Sequence, residues 1–405
     1  MKLNRWIYVA IGVVMLLFAG LVYAWSVLSL PIGAYFTDWS KAQLSLTFTI
    51  CMMSFCVGCM AGGMVAGKLK VRFHVWISGG LFLTGFLLAS QAGSPGMLYL
   101  GYGGFCGFAS GFVYNAVLST MSAWFPDKQG LISGILLMGF GISSFLVGKV
   151  YQAVTPSGEG IEAWRNSFLG FGIVLAAVFA LCGLFFAKPS KEDLKAQNVI
   201  LPEKKRVRGE GLDIDARQMV ARPSFWIFFL WTIAVGGAGM ALISQASGIA
   251  KEVGPEVEAG MIATIVGLIS IFNGLGRVFF GNLFDKKGRK ITMTVVGLCF
   301  GLSSVILIGA VAWKAFALVA VGFICCGFSY GGLNPSISAY VNDSYGASHY
   351  PVNFSVMNLN LLAASFGGTI AGMLFDASGS YMTTLFYMAA SGMVSLVFTM
   401  GIRRI

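Results

Sequence analysis

Residues 272–290 read Phe272-Asn273-Gly274-Leu275-Gly276-Arg277-Val278-Phe279-Phe280-Gly281-Asn282-Leu283-Phe284-Asp285-Lys286-Lys287-Gly288-Arg289-Lys290. An apolar run that opens near residue 257 ends here in one acid and four bases. Such a run, with its charge held to one end, has the form of a membrane-spanning helix, which takes roughly 20 residues. One charge breaks the pattern. Arg277 stands eight residues before Asp285, about 12 Å along a helix at ~1.5 Å per residue. It is therefore expected inside the membrane rather than at its edge.

The rest of the chain repeats this apolar pattern. Of 405 residues, 57% are hydrophobic and 11% charged, and the mean hydropathy is +0.80. A soluble domain carries about 25% charged residues. Sixteen acids and 27 bases cannot solvate a surface of this size, which excludes an ordinary soluble enzyme, a disordered chain and a nucleic-acid module. Apolar stretches predict helices near 6–30, 42–66, 73–92, 97–122, 131–154, 164–187, 225–249, 257–283, 290–311, 315–341, 352–374 and 379–401. The expected fold is all-α and membrane-embedded, with twelve transmembrane helices. The run from Trp6 to Leu30 is too long for the apolar core of a signal peptide, about 7–15 residues, so it is read as an uncleaved first span.

The bases orient the bundle. With both termini on one side, that side collects 21 of the 27 bases, and the other side collects Lys41, Lys149, Arg165, Lys251 and Lys314. This bias predicts cytoplasmic termini in the cytoplasmic (inner) membrane. It also accounts for the net charge of +11 through topology, with no nucleic-acid partner.

Residues 188–222 interrupt the apolar pattern with nine bases and six acids. They read as a cytoplasmic linker between two six-helix halves, 1–187 and 223–405. Its Lys204-Lys205-Arg206-Val207-Arg208 run could touch anionic lipid, although a solvated loop suffices to explain it. The halves repeat weakly. The loop at 281–290 matches Gly63–Arg72 at an offset of 218, and Asn115 and Asn334 match at 219. A parallel repeat of this kind is found in transporters built from two six-helix halves. At offset 218, Arg277 falls opposite Cys59.

Several segments carry a family resemblance. Gly281-x-x-x-Asp285-x-x-Gly288-Arg289-Lys290 resembles the signature loop of the major facilitator superfamily. There the Asp caps a helix end and pairs with a base, holding the cytoplasmic gate closed, so Gly281, Asp285, Gly288 and Arg289 are expected to gate. In the first-half copy, Gly67 stands where the acid would be. Val22-Tyr23-Ala24-Trp25, Ala123-Trp124-Phe125-Pro126-Asp127-Lys128-Gln129-Gly130, Phe272–Arg277 and Ser365-Phe366-Gly367-Gly368 resemble the oxalate/formate antiporter family and related bacterial monocarboxylate transporters. Asp127 is placed with the gate. The resemblance implies the major facilitator fold, with a helix-8 arginine that binds substrate carboxylate.

Arg277 carries the functional reading. A buried arginine costs at least ~2.5 kcal/mol in lipid. All sixteen acids fall in loops or at helix ends, which argues against an internal ion pair. Snorkelling, or pairing with backbone carbonyls, is one alternative. A diffusible anion suits the fixed, always-protonated fork better. Tyr23, Tyr114, Asn115, Asn273, Tyr330, Asn334 and Asn360, together with Trp25 and Asn358, lie at similar expected depth as uncharged donors or cavity aromatics. Each could equally serve as interhelical glue. By the resemblance, oxalate exchangers carry a lysine at the position of Asn360. One cation suits a monoanion, so the expected substrate is a small monocarboxylate such as lactate, pyruvate or formate. Animal monocarboxylate transporters carry an Asp where Asn273 stands. Without it, proton coupling would have to run through the substrate's own carboxylate or a water.

The eight cysteines all fall inside predicted helices. Cys51, Cys56 and Cys59 match an iron–sulfur spacing, but on a continuous apolar helix they read as small buried hydrophobes. No His or Cys pair is placed for a metal, and no phosphate-binding run is present. The reading is therefore a monomeric, cofactor-free secondary transporter, not an enzyme, working by alternating access. The alternatives are an oxalate/formate-type exchanger and, in another class, a membrane receptor or sensor on a transporter fold.

Overall fold

A computed structural model describes residues 4–65, 69–125, 129–156, 158, 160–196, 212–346 and 349–402. Among these residues the regular structure is helical, and eleven helices are long and apolar enough to cross a membrane. In the bilayer every backbone polar group must find its partner internally, which is why the apolar runs become helices.

Contacts divide the chain into two compact units, Met1–Trp39 with Ile50–Lys205, and Ser40–Thr49 with Arg206–Ile405. The first six helices are α1 (Arg5–Tyr35), α2 (Lys41–Val65), α3 (Val71–Ser90), α4 (residues 95–124), α5 (Gln129–Val154) and α6 (Ala163–Phe185). Two short helices follow, Lys191–Ala196 and Ala216–Val220. The remaining six are α7 (Pro223–Val253), α8 (Ala259–Phe284), α9 (Lys286–Trp313), α10 (Phe316–Tyr345), α11 (residues 350–378) and α12 (Met382–Gly401). The first turns of α2 thus group with the second unit and the rest of α2 with the first.

Four helices depart from the uninterrupted segments the sequence predicts. Helix α1 passes through a 3₁₀ stretch at Gly20–Ala24. Helix α4 is π-helical over Tyr99–Cys106, where three glycines, Gly101, Gly103 and Gly104, remove the side chains that would oppose a wider turn. Helix α4 is not among the eleven long apolar helices. Helix α10 is divided at Gly332, and α11 falls into Tyr350–Met357, Asn360–Ala364 and Phe366–Ser378. Helices α8 and α9 form one run that kinks at Gly288 (φ 74°, ψ 177°), a backbone conformation open to glycine almost alone.

Lipid tails are as apolar as leucine, so close packing rather than transfer from water holds the bundle together. Small residues therefore mark the tightest contacts. In the first unit, a Cβ at Gly107 would overlap the Cys51 carbonyl, one at Gly111 that of Phe55, and one at Gly58 that of Phe108. Helices α2 and α4 thus pack backbone to backbone. In the second unit the same overlaps join Gly327 to Ile269, Gly331 to Asn273 and Gly276 to Phe328, between α8 and α10. The α2 and α8 members of these pairs are 218 residues apart, the offset read from the loops. The α4 and α10 members are 220 apart. This corrects the pairing of Asn115 with Asn334: the counterpart of Asn334 is Tyr114.

Candidate functional site

The second unit holds the one charged residue among the expected binding residues, Arg277. Helix α8 places Asn273 and Arg277 one turn apart on one face. The Arg277 Nε donates to Asn273 Oδ1 at 3.1 Å, and Asn273 is buried. The neutral amide thus holds one edge of the guanidinium without cancelling its charge. The Arg277 Nη1 is buried and has no hydrogen-bond partner, and no carboxylate pairs with Arg277 among the described residues. A buried, unpaired donor on a full charge is costly unless something supplies an acceptor.

Asn360 is 4% exposed, and its Nδ2 is likewise buried without a partner. It opens the short helix Asn360–Ala364, just after the break at Asn358 and Leu359. The unit therefore contains two orphaned N–H donors among the expected binding residues. Tyr330 is buried with its ring against Gly239 of α7, where a Cβ would overlap it. Asn334 follows the Gly332 break and is exposed. Asn358 is half-buried at its own break.

The expected binding residues of the first unit are uncharged. Tyr23 sits in the 3₁₀ stretch of α1 and Tyr114 on α4, both half-buried. Their rings meet the same residue: Phe140 of α5 lies 5.5 Å from Tyr23 and 5.2 Å from Tyr114, centroid to centroid. Phe55 of α2 completes the cluster at 5.3 Å from Tyr114 and 5.9 Å from Phe140. Neither phenylalanine stands out in the sequence, because apolar rings abound in every span. Asn115 is half-buried, with its Nδ2 over Gly63 of α2. Trp25 is 1% exposed and packs on Tyr102 at 4.7 Å, so it is a core residue.

The loop after α8 is partly described. Gly281 is half-buried and approaches Pro335 of α10, and Gly288 makes the turn. The Arg289 Nη1 donates to Ser344 Oγ at 3.2 Å, and its guanidinium lies over the Tyr340 ring at 5.8 Å. Arg289 therefore ties this loop to the end of α10 within its own unit. The Asp285 side chain, Asp127 and Gly67 lie outside the described residues. No group of three or more His, Cys, Asp or Glu side chains gathers as for a metal among the described ones.

The chain is thus a many-helix membrane protein with a half-buried arginine whose Nη1 is buried without a partner. A family model described as the Major Facilitator Superfamily matches residues 7–371, and the chain belongs to that superfamily, as a multi-pass membrane transporter. It is 26% identical over 378 residues to the oxalate:formate antiporter of Oxalobacter formigenes, covering 92% of this chain and 85% of that protein. It is 24% identical over 411 residues to monocarboxylate transporter 12 of Mus musculus, covering 94% and 81%. Among solved structures, the nucleoside transporter NupG superposes with a TM-score of 0.70 at 15% identity, covering 99% of this chain and 98% of that one. That last likeness concerns the fold alone.

Proposed function

We propose that this protein is a secondary transporter of a small monocarboxylate of the lactate, pyruvate or formate class, working by alternating access, with Arg277 as the carboxylate anchor. The observation that carries this reading is the Arg277 guanidinium, which is gripped at Nε by a neutral amide and buried at Nη1 without a partner. A carboxylate would supply the missing acceptor through a charge-assisted bond. Asn360 Nδ2 is the second donor, and because it is neutral it favours a monoanion. Asn273, Tyr330 and Asn334 in the second unit, and Tyr23, Tyr114 and Asn115 in the first, are the remaining proposed contacts. Gly281, Asp285, Gly288, Arg289 and Asp127 are proposed to gate.

Coupling is proposed to be to a proton carried on the substrate or a water, since the neutral Asn273 offers no titrating relay. The likeness to an oxalate:formate antiporter favours a second reading, anion exchange. The bias of bases supports the proposed orientation, with both termini on the cytoplasmic face of the inner membrane, and the protein is proposed to act as a monomer. Uptake of labelled lactate, formate and oxalate into proteoliposomes, with and without a pH gradient, tests the reading. Lactate or formate uptake driven by an inward proton gradient is expected. Uptake of oxalate alone, and only against internal anion, would replace this reading with exchange.

A further inference from the structure

Two irregular stretches of the first unit meet each other. Helix α1 is 3₁₀ over Gly20–Ala24, and α4 is π-helical over Tyr99–Cys106. Tyr102, inside the π-helical stretch, donates its hydroxyl to the Leu21 carbonyl at 3.2 Å. Ser110, further along α4, donates to the Ala19 carbonyl at 2.8 Å. Both donors are 0% exposed. The two acceptors flank Gly20, where the 3₁₀ stretch opens. A helix departs from its regular form where a side chain enters the hydrogen-bond ladder, and π-bulges recur at functional sites. At membrane depth, backbone groups freed by such a change must be satisfied by protein. The two α4 side chains do so here.

Other contacts fix the same point. A Cβ at Gly20 would overlap the Phe140 carbonyl of α5, so α1 is pressed on α5 exactly where its form changes. The Phe140 ring stands edge-on to Tyr23 at 5.5 Å and 88°. Tyr102 is held in turn, with its ring 4.7 Å from Trp25, 5.9 Å from Phe86 and 6.2 Å from Phe168.

The consequence is directional. A 3₁₀ turn advances about 120° and ~2.0 Å per residue, against about 100° and ~1.5 Å in an α-helix. Over the three steps from Gly20 to Tyr23, the side chain is turned roughly 60° and carried ~1.5 Å beyond where a continuous α-helix would put it. A third buried phenol sets the contrast. Tyr151 of α5 donates to the Leu28 carbonyl at 3.1 Å and is also 0% exposed. Leu28 lies in the α-helical part of α1, Trp25–Tyr35, so that bond fastens the helix without changing its form.

We propose that Tyr102 and Ser110 are positioning residues for anion binding: they hold the 3₁₀ stretch of α1, fix the direction of Tyr23 and touch no anion themselves. The inference rests on the proposed role of Tyr23 as an anion contact.

A double-mutant cycle separates positioning from support of the fold. Equilibrium binding of labelled lactate to purified protein is expected to weaken about fivefold for Tyr102→Phe and for Ser110→Ala. In a Tyr23→Phe background the same changes should weaken it less than about twofold, because the hydroxyl they aim is gone. Tyr151→Phe should stay within about twofold of its parent in either background. Equal losses from Tyr102→Phe with and without the Tyr23 hydroxyl would mark a merely structural effect and overturn the proposal. Unchanged binding by both Tyr102→Phe and Ser110→Ala would overturn it too. A second measurement needs no ligand: hydrogen exchange of the peptide spanning Gly20–Ala24. Exchange should speed up at least about fivefold in Tyr102→Phe and Ser110→Ala, and stay within about twofold in Tyr151→Phe. An unchanged rate in the first two variants would overturn the brace. Faster exchange in those variants, where the wild type binds no lactate, would support the brace and sink the substrate assignment alone.

Discussion

Helices α2 and α4 in the first unit, and α8 and α10 in the second, are joined by the same glycine-to-carbonyl contacts at corresponding positions. What they carry on that shared scaffold differs. At the 218-residue offset, Phe55 corresponds to Asn273 and Cys59 to Arg277. Phe55 joins an aromatic cluster with Tyr114 and Phe140, whereas Asn273 grips a guanidinium. At the 220-residue offset, Tyr114 corresponds to Asn334. Close helix packing tolerates little change at Gly58, Gly107, Gly111 and their counterparts, because each sits against a backbone carbonyl. The side chains one position away are free to diverge, and one copy has become charged while the other has stayed apolar.

That asymmetry can be broken by mutation. The largest effect is expected at Arg277. Arg277→Gln removes the only proposed cation and should lower carboxylate transport by roughly 100-fold, since a charge-assisted bond is worth about 1.5–3 kcal/mol. Arg277→Lys should recover little, because a point charge cannot reproduce the fork held by Asn273. Initial uptake rates in proteoliposomes, at matched protein incorporation, check both.

Asn360→Lys adds a second cation to the charged unit. It should shift preference from lactate towards oxalate by about tenfold, equivalent to ~1.4 kcal/mol, because an unpaired buried charge is costly. Competition of unlabelled oxalate against labelled lactate measures this. Unchanged preference in a well-expressed variant would mean that charge counting does not set selectivity.

Asn273→Ala should raise KM about fivefold with a smaller change in maximal rate, as loss of one hydrogen bond of ~1 kcal/mol frees the guanidinium to other orientations. The smallest effect belongs to the uncharged copy. Cys59→Ala, at the position corresponding to Arg277, should change transport by less than about twofold, within the range of a small hydrophobe swapped for a smaller one. A loss there as large as that of Arg277→Gln would show that the two copies share the anion.

Much of this was legible in the sequence because it is written in polarity. Apolar length marks the spans, the Asp285–Lys290 cluster marks a helix end, and Arg277 is conspicuous as a base inside an apolar run. The 218-residue offset was visible because the two loops share spaced glycines and bases. Backbone irregularity was not legible. The π-helical stretch of α4 and the breaks of α11 at Asn358 and Ser365 depend on which neighbour each turn meets, and hydropathy does not register that. Matching asparagine to asparagine puts Asn334 one residue out of register, because the packing glycines set the offset. Phe55 and Phe140 were hidden among 34 phenylalanines. The Asp376 carboxylate accepts from the Lys41 and Ala42 N–H groups, 335 and 334 positions away, and short-range patterns carry no signal of that.

Direct binding reaches the central claim without the transport cycle intervening. Purified wild-type protein and Arg277→Gln should be titrated with labelled lactate by equilibrium binding, with thermal unfolding measured alongside. The account predicts saturable binding by the wild type, at least 30-fold weaker binding by Arg277→Gln from a loss of ~2 kcal/mol, and similar unfolding temperatures without ligand. Equal affinity of the two proteins for lactate would contradict the assignment of Arg277 as the carboxylate anchor.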